Sequence, residues 1–322
     1  MEKKPRVIAI EEHYYDRELR AHFAKHDVVD SPWIAERLDD LSNLRIKEMD
    51  AAGIDLQVLS HGAHAFHMFD PETAVRLAPG VNDRLHQAVE RHPQRFAAFA
   101  ALPTSDPKAA AAELERTVTK LGFKGAMVHG LTDGLFLDDK RFWPIFESAA
   151  ALDVPIYLHP GSAPHPAVMD AYFKDYRQDF PLFHRSGWGY TIETGAQGIR
   201  LVLSGIFDKY PNLKIIMGHL GEGVPLLLWR IDSALSRGGK INFRKIFCEH
   251  FWITTSGFFS NPALRCCIEE MGIDRIIFSV DYPFMPNERA AKWIPDLPLG
   301  EADKAKLLSG NVEKLLKLSS SV

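Results

Sequence analysis

The chain has 322 residues, 46% of them hydrophobic, and a formal net charge of −4. That balance offers no basic field to nucleic acid, and charges of both signs are scattered rather than gathered into a tail. No apolar run is long enough to span a bilayer, and the VIAI stretch of Val7–Ile10 is too short for a secretory core, so the expected location is the cytoplasm. Cys248, Cys266 and Cys267 have no metal-binding or disulfide spacing; adjacent Cys266 and Cys267 read as buried helical thiols in a reducing compartment.

In chain order, short apolar or β-branched runs recur at Val7–His13, Leu56–Gly62, Phe96–Pro103, Gly125–Leu131, Pro155–Gly161, Lys214–Gly221, Phe251–Gly257 and Ile276–Phe284. Near-continuous apolar strands point to burial on both faces, as in a parallel sheet. Helical spacing separates them. Asp70-Pro71, Asp106-Pro107 and Asn261-Pro262 each read as an N-cap side chain followed by proline at the first helical position. Eight strands alternating with helices predict an α/β fold, a (β/α)8 TIM barrel forming a single domain over residues 1–322. No Pro-, Gly- or Ser-rich linker divides it. Residues 162–190, rich in proline and aromatics after the fifth strand, are expected to form an insertion over the active site, and residues 14–42 a second elaboration.

Metal-capable side chains gather where the strands end: Glu11, Glu12 and His13 on the first, His159 on the fifth, His219 on the sixth and Asp281 on the eighth. Barrel enzymes place their chemistry at these ends. Glu11 and His13, two apart, share a strand face and point into the lumen, while Glu12 points away. With His159 and Asp281 they could supply four donors to one divalent cation. Taken singly, each has a plainer role: His159 as a bonded core histidine, Glu11 paired with Arg6, Asp281 as a turn-former before Tyr282-Pro283. Their joint position favours the metal. The fourth strand carries no lysine to be carbamylated, and Lys124 precedes it at the opposite end, so one metal is expected rather than two.

The segments EEH, YLHPG, IFDKYPNLKIIMGHLGEGVPLLLWRID, ITTSG and FSVDYPF strongly resemble the amidohydrolase-related non-oxidative decarboxylases. These include enzymes acting on γ-resorcylate, 2,3-dihydroxybenzoate, 5-carboxyvanillate and aminocarboxymuconate semialdehyde. The resemblance runs over nearly the whole chain and implies the barrel independently. It implies Glu11, His13, His159 and Asp281 as ligands of one Zn²⁺ or Mn²⁺, His219 as a catalytic residue beside the metal, and Arg230 as the family arginine in substrate binding. Glu222 would orient His219 or complement a helix N-terminus. Two places depart from the resorcylate pattern: His61, His64 and His67 follow the second strand, and His129 stands where asparagine is usual. His61 and His129 are substrate contacts or strand-end structure; His64 and His67 read as neutral loop histidines. Trp188, Tyr190 and Phe284 could wall an aromatic ring or simply pack.

The resemblance thus implies a metal-dependent decarboxylase of a hydroxylated aromatic (ortho-hydroxybenzoate-type) acid; because direct CO₂ loss would leave an aryl carbanion, the ring carbon is expected to be protonated first, with Asp281 the candidate donor and His219 assisting. The alternatives are a lactonase or hydratase of the same superfamily, with Asp281 as general base to water, and a catalytically inactive barrel that binds no metal. The expected partners are a small aromatic acid and further copies of the chain, as a homodimer or homotetramer, with no nucleic acid and no membrane.

Overall fold

Eight parallel staves carry the site, and each of the eight apolar runs supplies one. A computed structural model describes residues 5–23, 31–63, 65–161 and 163–319. The strands are Ile8–Tyr14, Leu56–His61, Phe96–Ala98 continued by Ala100–Ala101, Ala126–His129, Ile156–His159, Ile215–Met217, Phe251–Thr254 and Ile276–Ile277. All neighbouring pairs are parallel, in sequence order. The third stave switches partners at Phe99, whose N–H donates to Leu59 O while Ala100 N–H donates to Gly125 O. The ring closes where Asp281 N–H donates to Glu11 O at 3.0 Å and His13 N–H to Tyr282 O at 2.6 Å, so the last strand ends against the first. The fold is a (β/α)8 barrel.

One strand departs from simple alternation. Ile8 and Ile10 pack with Val58, Phe99, Tyr157 and Ile216 in the inner core, whereas Val7 and Ala9 belong to the larger core beneath the helices. The pairing of the first two strands slips between Ala9 and Glu12. This bulge resets the phase, so that Glu11 and His13 follow Ile10 onto the inner face and Glu12 turns outward. At the opposite mouth, Val312, Leu315 and Leu316 of the helix Asn311–Leu316 join the inner core and plug it. Asn311 Nδ2 ties that helix to Ile273 O and Ile276 O at 2.8 and 2.7 Å.

Two of the three expected proline-led caps form as read. Asp70 accepts from Thr73 N, and Asp106 from Lys108 N and Ala109 N. Asn261 does not cap: it is the first residue of the helix Asn261–Met271, with Ser260 as N-cap. Its side chain instead donates to Asp296 O and accepts from Trp293 Nε1, and an amide held by that tertiary contact cannot fold back on its own helix. Cys248, Cys266 and Cys267 are free thiols, but only Cys267 is buried; Cys248 and Cys266 are partly exposed. Among the described residues, no helix is long and apolar enough to cross a membrane. After the fifth strand, residues 163–188 run through the short helical turns Pro166–Val168, Met169–Phe173 and Lys174–Tyr176 before the helix Gly189–Leu203.

Candidate metal centre

Glu11, His13, His159 and Asp281 each bring one ligand atom to a common point, all within 4.8 Å of one another. Nε2 of His13 lies 3.3 Å from Asp281 Oδ1, and Nε2 of His159 lies 3.3 Å from Glu11 Oε1. Donors sharing a cation at about 2.1 Å stand roughly 3–3.5 Å apart, so the spacing suits a metal. Glu11 Oε1 and His13 Nε2 are buried and have no hydrogen-bond partner. Unpartnered buried groups of this kind cost several kcal/mol unless a cation bridges them. Two carboxylates and two imidazoles mix hard and borderline donors, a set that fits Mn²⁺ or Zn²⁺. Among the described residues, this is the one such cluster.

Glu11 is aimed by a cradle of hydroxyls. Its Oε2 accepts from Tyr157, Ser256 and Thr254, leaving Oε1 toward the site. Tyr157 alternates with His159 on one strand face and Thr254 with Ser256 on another, a period-2 signal in IYLH and ITTS that would have revealed the cradle from sequence. Gly218 leaves room for it: a Cβ there would stand 2.7 Å from Glu11 Oε2. Burial would raise the Glu11 carboxyl, but the positive field of His219, His159 and His13 holds it well below the usual carboxylate range.

His219 reaches the centre through an unusual backbone. Residues 219 to 223 all have positive φ, with His219 at 50°, Leu220 at 54° and Glu222 at 52°. Left-handed conformation costs an L-residue roughly 1–2 kcal/mol, so this turn stores strain at the strand end. Gly221 and Gly223 relieve part of it. The turn folds Glu222 back so that its Oε1 meets His219 Nδ1 at 2.7 Å. The other nitrogen, Nε2, lies 3.7 Å from Glu11 Oε1 and 3.9 Å from Asp281 Oδ2. Burial opposes charge on His219, yet Glu222 and Glu11 outweigh it and push the imidazole well above its ordinary value. Asp281 also has positive φ, 74°.

The remaining candidates divide. The ring of His129 stands edge-on to His159 at 5.0 Å and stacks with His67 at 5.9 Å; its buried Nε2 has no hydrogen-bond partner. Phe284 tilts against His13 at 5.7 Å. His61 is occupied structurally, with Nε2 receiving Asp16 N–H and Nδ1 meeting Gly62 O, both at 3.1 Å. His64 lies outside the described residues. Tyr190 is partly buried, and Trp188, just before the helix Gly189–Leu203, is 52% exposed. Arg230 lies exposed on the helix Val224–Leu235 and, among the described residues, forms no ion pair. Arg6 pairs with Glu313, not Glu11.

The amidohydrolase family pattern matches residues 18–318. The γ-resorcylate decarboxylase of Polaromonas sp. strain JS666 is 40% identical, over 97% of this chain and 98% of its own. Among solved structures, a dihydroxybenzoic acid decarboxylase from Polaromonas sp. JS666, with bound manganese and the inhibitor 2-nitroresorcinol, superposes with TM-score 0.88 at 38% identity, covering 98% of both chains. The 5-carboxyvanillate decarboxylase of Sphingomonas paucimobilis superposes with TM-score 0.90 at 35% identity, covering 98% of this chain and 100% of that one. A shared barrel, a donor cluster suited to one metal and similarity over almost the full length lead to one conclusion: the chain belongs to the amidohydrolase family.

Proposed function

We propose that this chain is a metal-dependent, non-oxidative decarboxylase of aromatic acids bearing a hydroxyl ortho to the carboxylate. The observation that carries the reading is Asp281, placed between the donor cluster and His219. Its Oδ1 faces His13 Nε2 while Oδ2 faces His219 Nε2. One carboxylate is thus set to serve as a ligand and to exchange a proton. Relatives named as decarboxylases match over nearly their whole length, which supports the same chemistry.

Direct loss of CO₂ from a benzoate would leave an aryl anion, so the ring carbon must be protonated first. A divalent cation held by Glu11, His13, His159 and Asp281 supplies a fixed positive charge that favours the ionised ortho-hydroxyl. Asp281 passes its proton to the carbon bearing the carboxylate, dearomatising the ring with electrons from the phenolate. The carbon–carboxylate bond then breaks, its electron pair restores the ring, and CO₂ leaves. His219, kept protonated by Glu222, returns a proton to Asp281, and the cycle consumes one proton from solvent. His129 offers hydrogen bonding to a ring substituent and Phe284 an apolar face; residues 163–190, with Trp188, wall the substrate.

Leu226, Leu227 and Trp229, 74%, 51% and 73% exposed on the helix Val224–Leu235, suit a contact between copies in a homodimer or homotetramer. Arg230, four residues after Leu226, shares that face and offers a charge for a carboxylate. Three free thiols fit the cytoplasm.

The test is to incubate manganese- or zinc-loaded protein with a panel of ortho-hydroxybenzoates and of lactones, following CO₂, phenols and hydroxy acids by chromatography. Release of CO₂ with the matching phenol is expected. Lactone hydrolysis alone would replace this reading with the hydrolase one, and turnover of none of the acids would overturn it.

A further inference from the structure

Behind the metal-facing side of the first strand lies a buried charged network that the decarboxylation mechanism does not use. Glu12 and Arg45 are both fully buried. Gln57 joins them, donating from Nε2 to Glu12 Oε2 and accepting from Arg45 Nη1 at Oε1, each at 3.2 Å. Glu12 Oε1 accepts from Ser279 Oγ at 3.1 Å and from Val280 N–H, the amide preceding Asp281, at 2.9 Å. Ser279 Oγ also receives Ile10 N–H and Glu11 N–H, holding the bulge in place. Arg45 donates to the carbonyl oxygens of His13, Arg37 and Asp40, and its guanidinium lies 4.7 Å from the ring of Tyr282.

Three of these contacts end on backbone at or beside a metal-facing side chain: Ser279 Oγ on Glu11 N–H, Arg45 on His13 O and Glu12 on Val280 N–H. Glu12 lies between Glu11 and His13 in the chain and holds the strand of Asp281; Arg45 holds the carbonyl of His13. Burying a carboxylate and a guanidinium is expensive, and an apolar pair of similar volume often packs as well. A purely structural role would therefore not require them. Hydrogen bonds from both sides, those of the Arg45 guanidinium charge-assisted, fix the seam between the first and last strands, and outer contacts of this kind set the affinity of a metal site.

We infer that Glu12, Gln57 and Arg45 are positioning residues for the metal centre, clamping the first strand to the eighth so that Glu11, His13 and Asp281 converge. The inference rests on the metal reading above.

The experiment measures Mn²⁺ affinity by chelator competition, and the Mn²⁺ electron paramagnetic resonance line shape, for wild type, Glu12→Gln and Arg45→Lys. Glu12→Gln keeps the shape but puts an amide donor in place of one acceptor oxygen; Arg45→Lys keeps the charge but loses the fork. Each is expected to fold, with the circular dichroism of wild type, and to bind Mn²⁺ about 10- to 100-fold more weakly with an altered line shape. In the double variant the losses should fall short of their product, because both act through Gln57. A folded Glu12→Gln protein with wild-type affinity and line shape would overturn the inference. Should Glu12→Gln fail to fold, Arg45→Lys decides by the same two readings; failure of both to fold assigns the network to stability and likewise overturns it. Wild type that binds no Mn²⁺ would instead refute the metal centre.

Discussion

The two mouths of the barrel are built on opposite terms. At the N-terminal mouth, Val312, Leu315 and Leu316 meet Ile8, Leu56 and Ile277, and Asn311 finds two carbonyl acceptors. At the C-terminal mouth, Glu11 Oε1, His13 Nε2, His129 Nε2 and Glu222 Oε2 are buried without hydrogen-bond partners, and His219, Leu220, Glu222 and Asp281 all have positive φ. Groups left unsatisfied and backbone held in strain cost stability, and they persist where a ligand uses them. One end secures the fold, and the other draws on it.

The largest effect expected from separating these roles is at Asp281. Asp281→Asn keeps the volume but removes both the ligand charge and the proton. Decarboxylation should fall by on the order of 10²–10⁴-fold, as for loss of a general acid. The thermal midpoint in chelator should not fall, since a carboxylate beside Glu11 is relieved. Product formation and a thermal melt, measured on one preparation, check both halves. A melt lowered by several degrees with activity retained would show that Asp281 belongs to the fold.

The converse substitution lies at the other mouth. Leu315→Ala should destabilise the protein by about 2–5 kcal/mol through a cavity in the plug. Turnover per folded molecule, measured well below the midpoint, should match wild type. A matching loss of turnover would mean that the two mouths are coupled through the lumen.

How much of this contrast could be read from sequence follows the range of the forces involved. The staves were legible because burial on both faces leaves long apolar runs. Glu11, His13, His159 and Asp281 were legible as strand-end polar residues, and the structure brings their donor atoms together. Arg45 was not: on a helix with charged neighbours it reads as a solvent-facing residue, and only tertiary carbonyl acceptors explain its burial. The bulge before Glu11 was equally hidden, because strict alternation would set Ile8 and Ile10 on the face of Glu12. His61, at a strand end, read equally as a substrate contact or as strand-end structure, and only the tertiary bonds to Asp16 N–H and Gly62 O give its ring a structural role. Asn261 was misread as a cap because nothing local announces Trp293 and Asp296 as its partners.

The smallest predicted effect sharpens the claim that the C-terminal mouth draws on stability. Glu193, on the helix Gly189–Leu203, accepts His165 N–H at 3.1 Å beside a cavity of about 450 Å³ lined by Leu131, Phe136, Val168 and Ile192. Burial in these surroundings raises its carboxyl to about 7, against a partial opposing pull from the His165 N–H. Folding then favours the protonated acid. Below the unfolded value of about 4.5, Glu193 is protonated in both states and has no pH-linked effect on stability. Between that value and about 7 the unfolded state binds fewer protons than the folded one, so stability is lost as pH rises, and the full penalty is present above 7. Glu193→Gln keeps an acceptor for His165 and removes the ionisation. It should therefore stabilise the protein by ~1–2 kcal/mol at pH 8, allowing for partial solvent screening, and by little at pH 4. Denaturant melts of both proteins across this range give the difference directly. A gain that is equal at both ends would place the effect in packing, and a loss at pH 8 would mean that the ionised carboxylate holds the loop more strongly than burial opposes it.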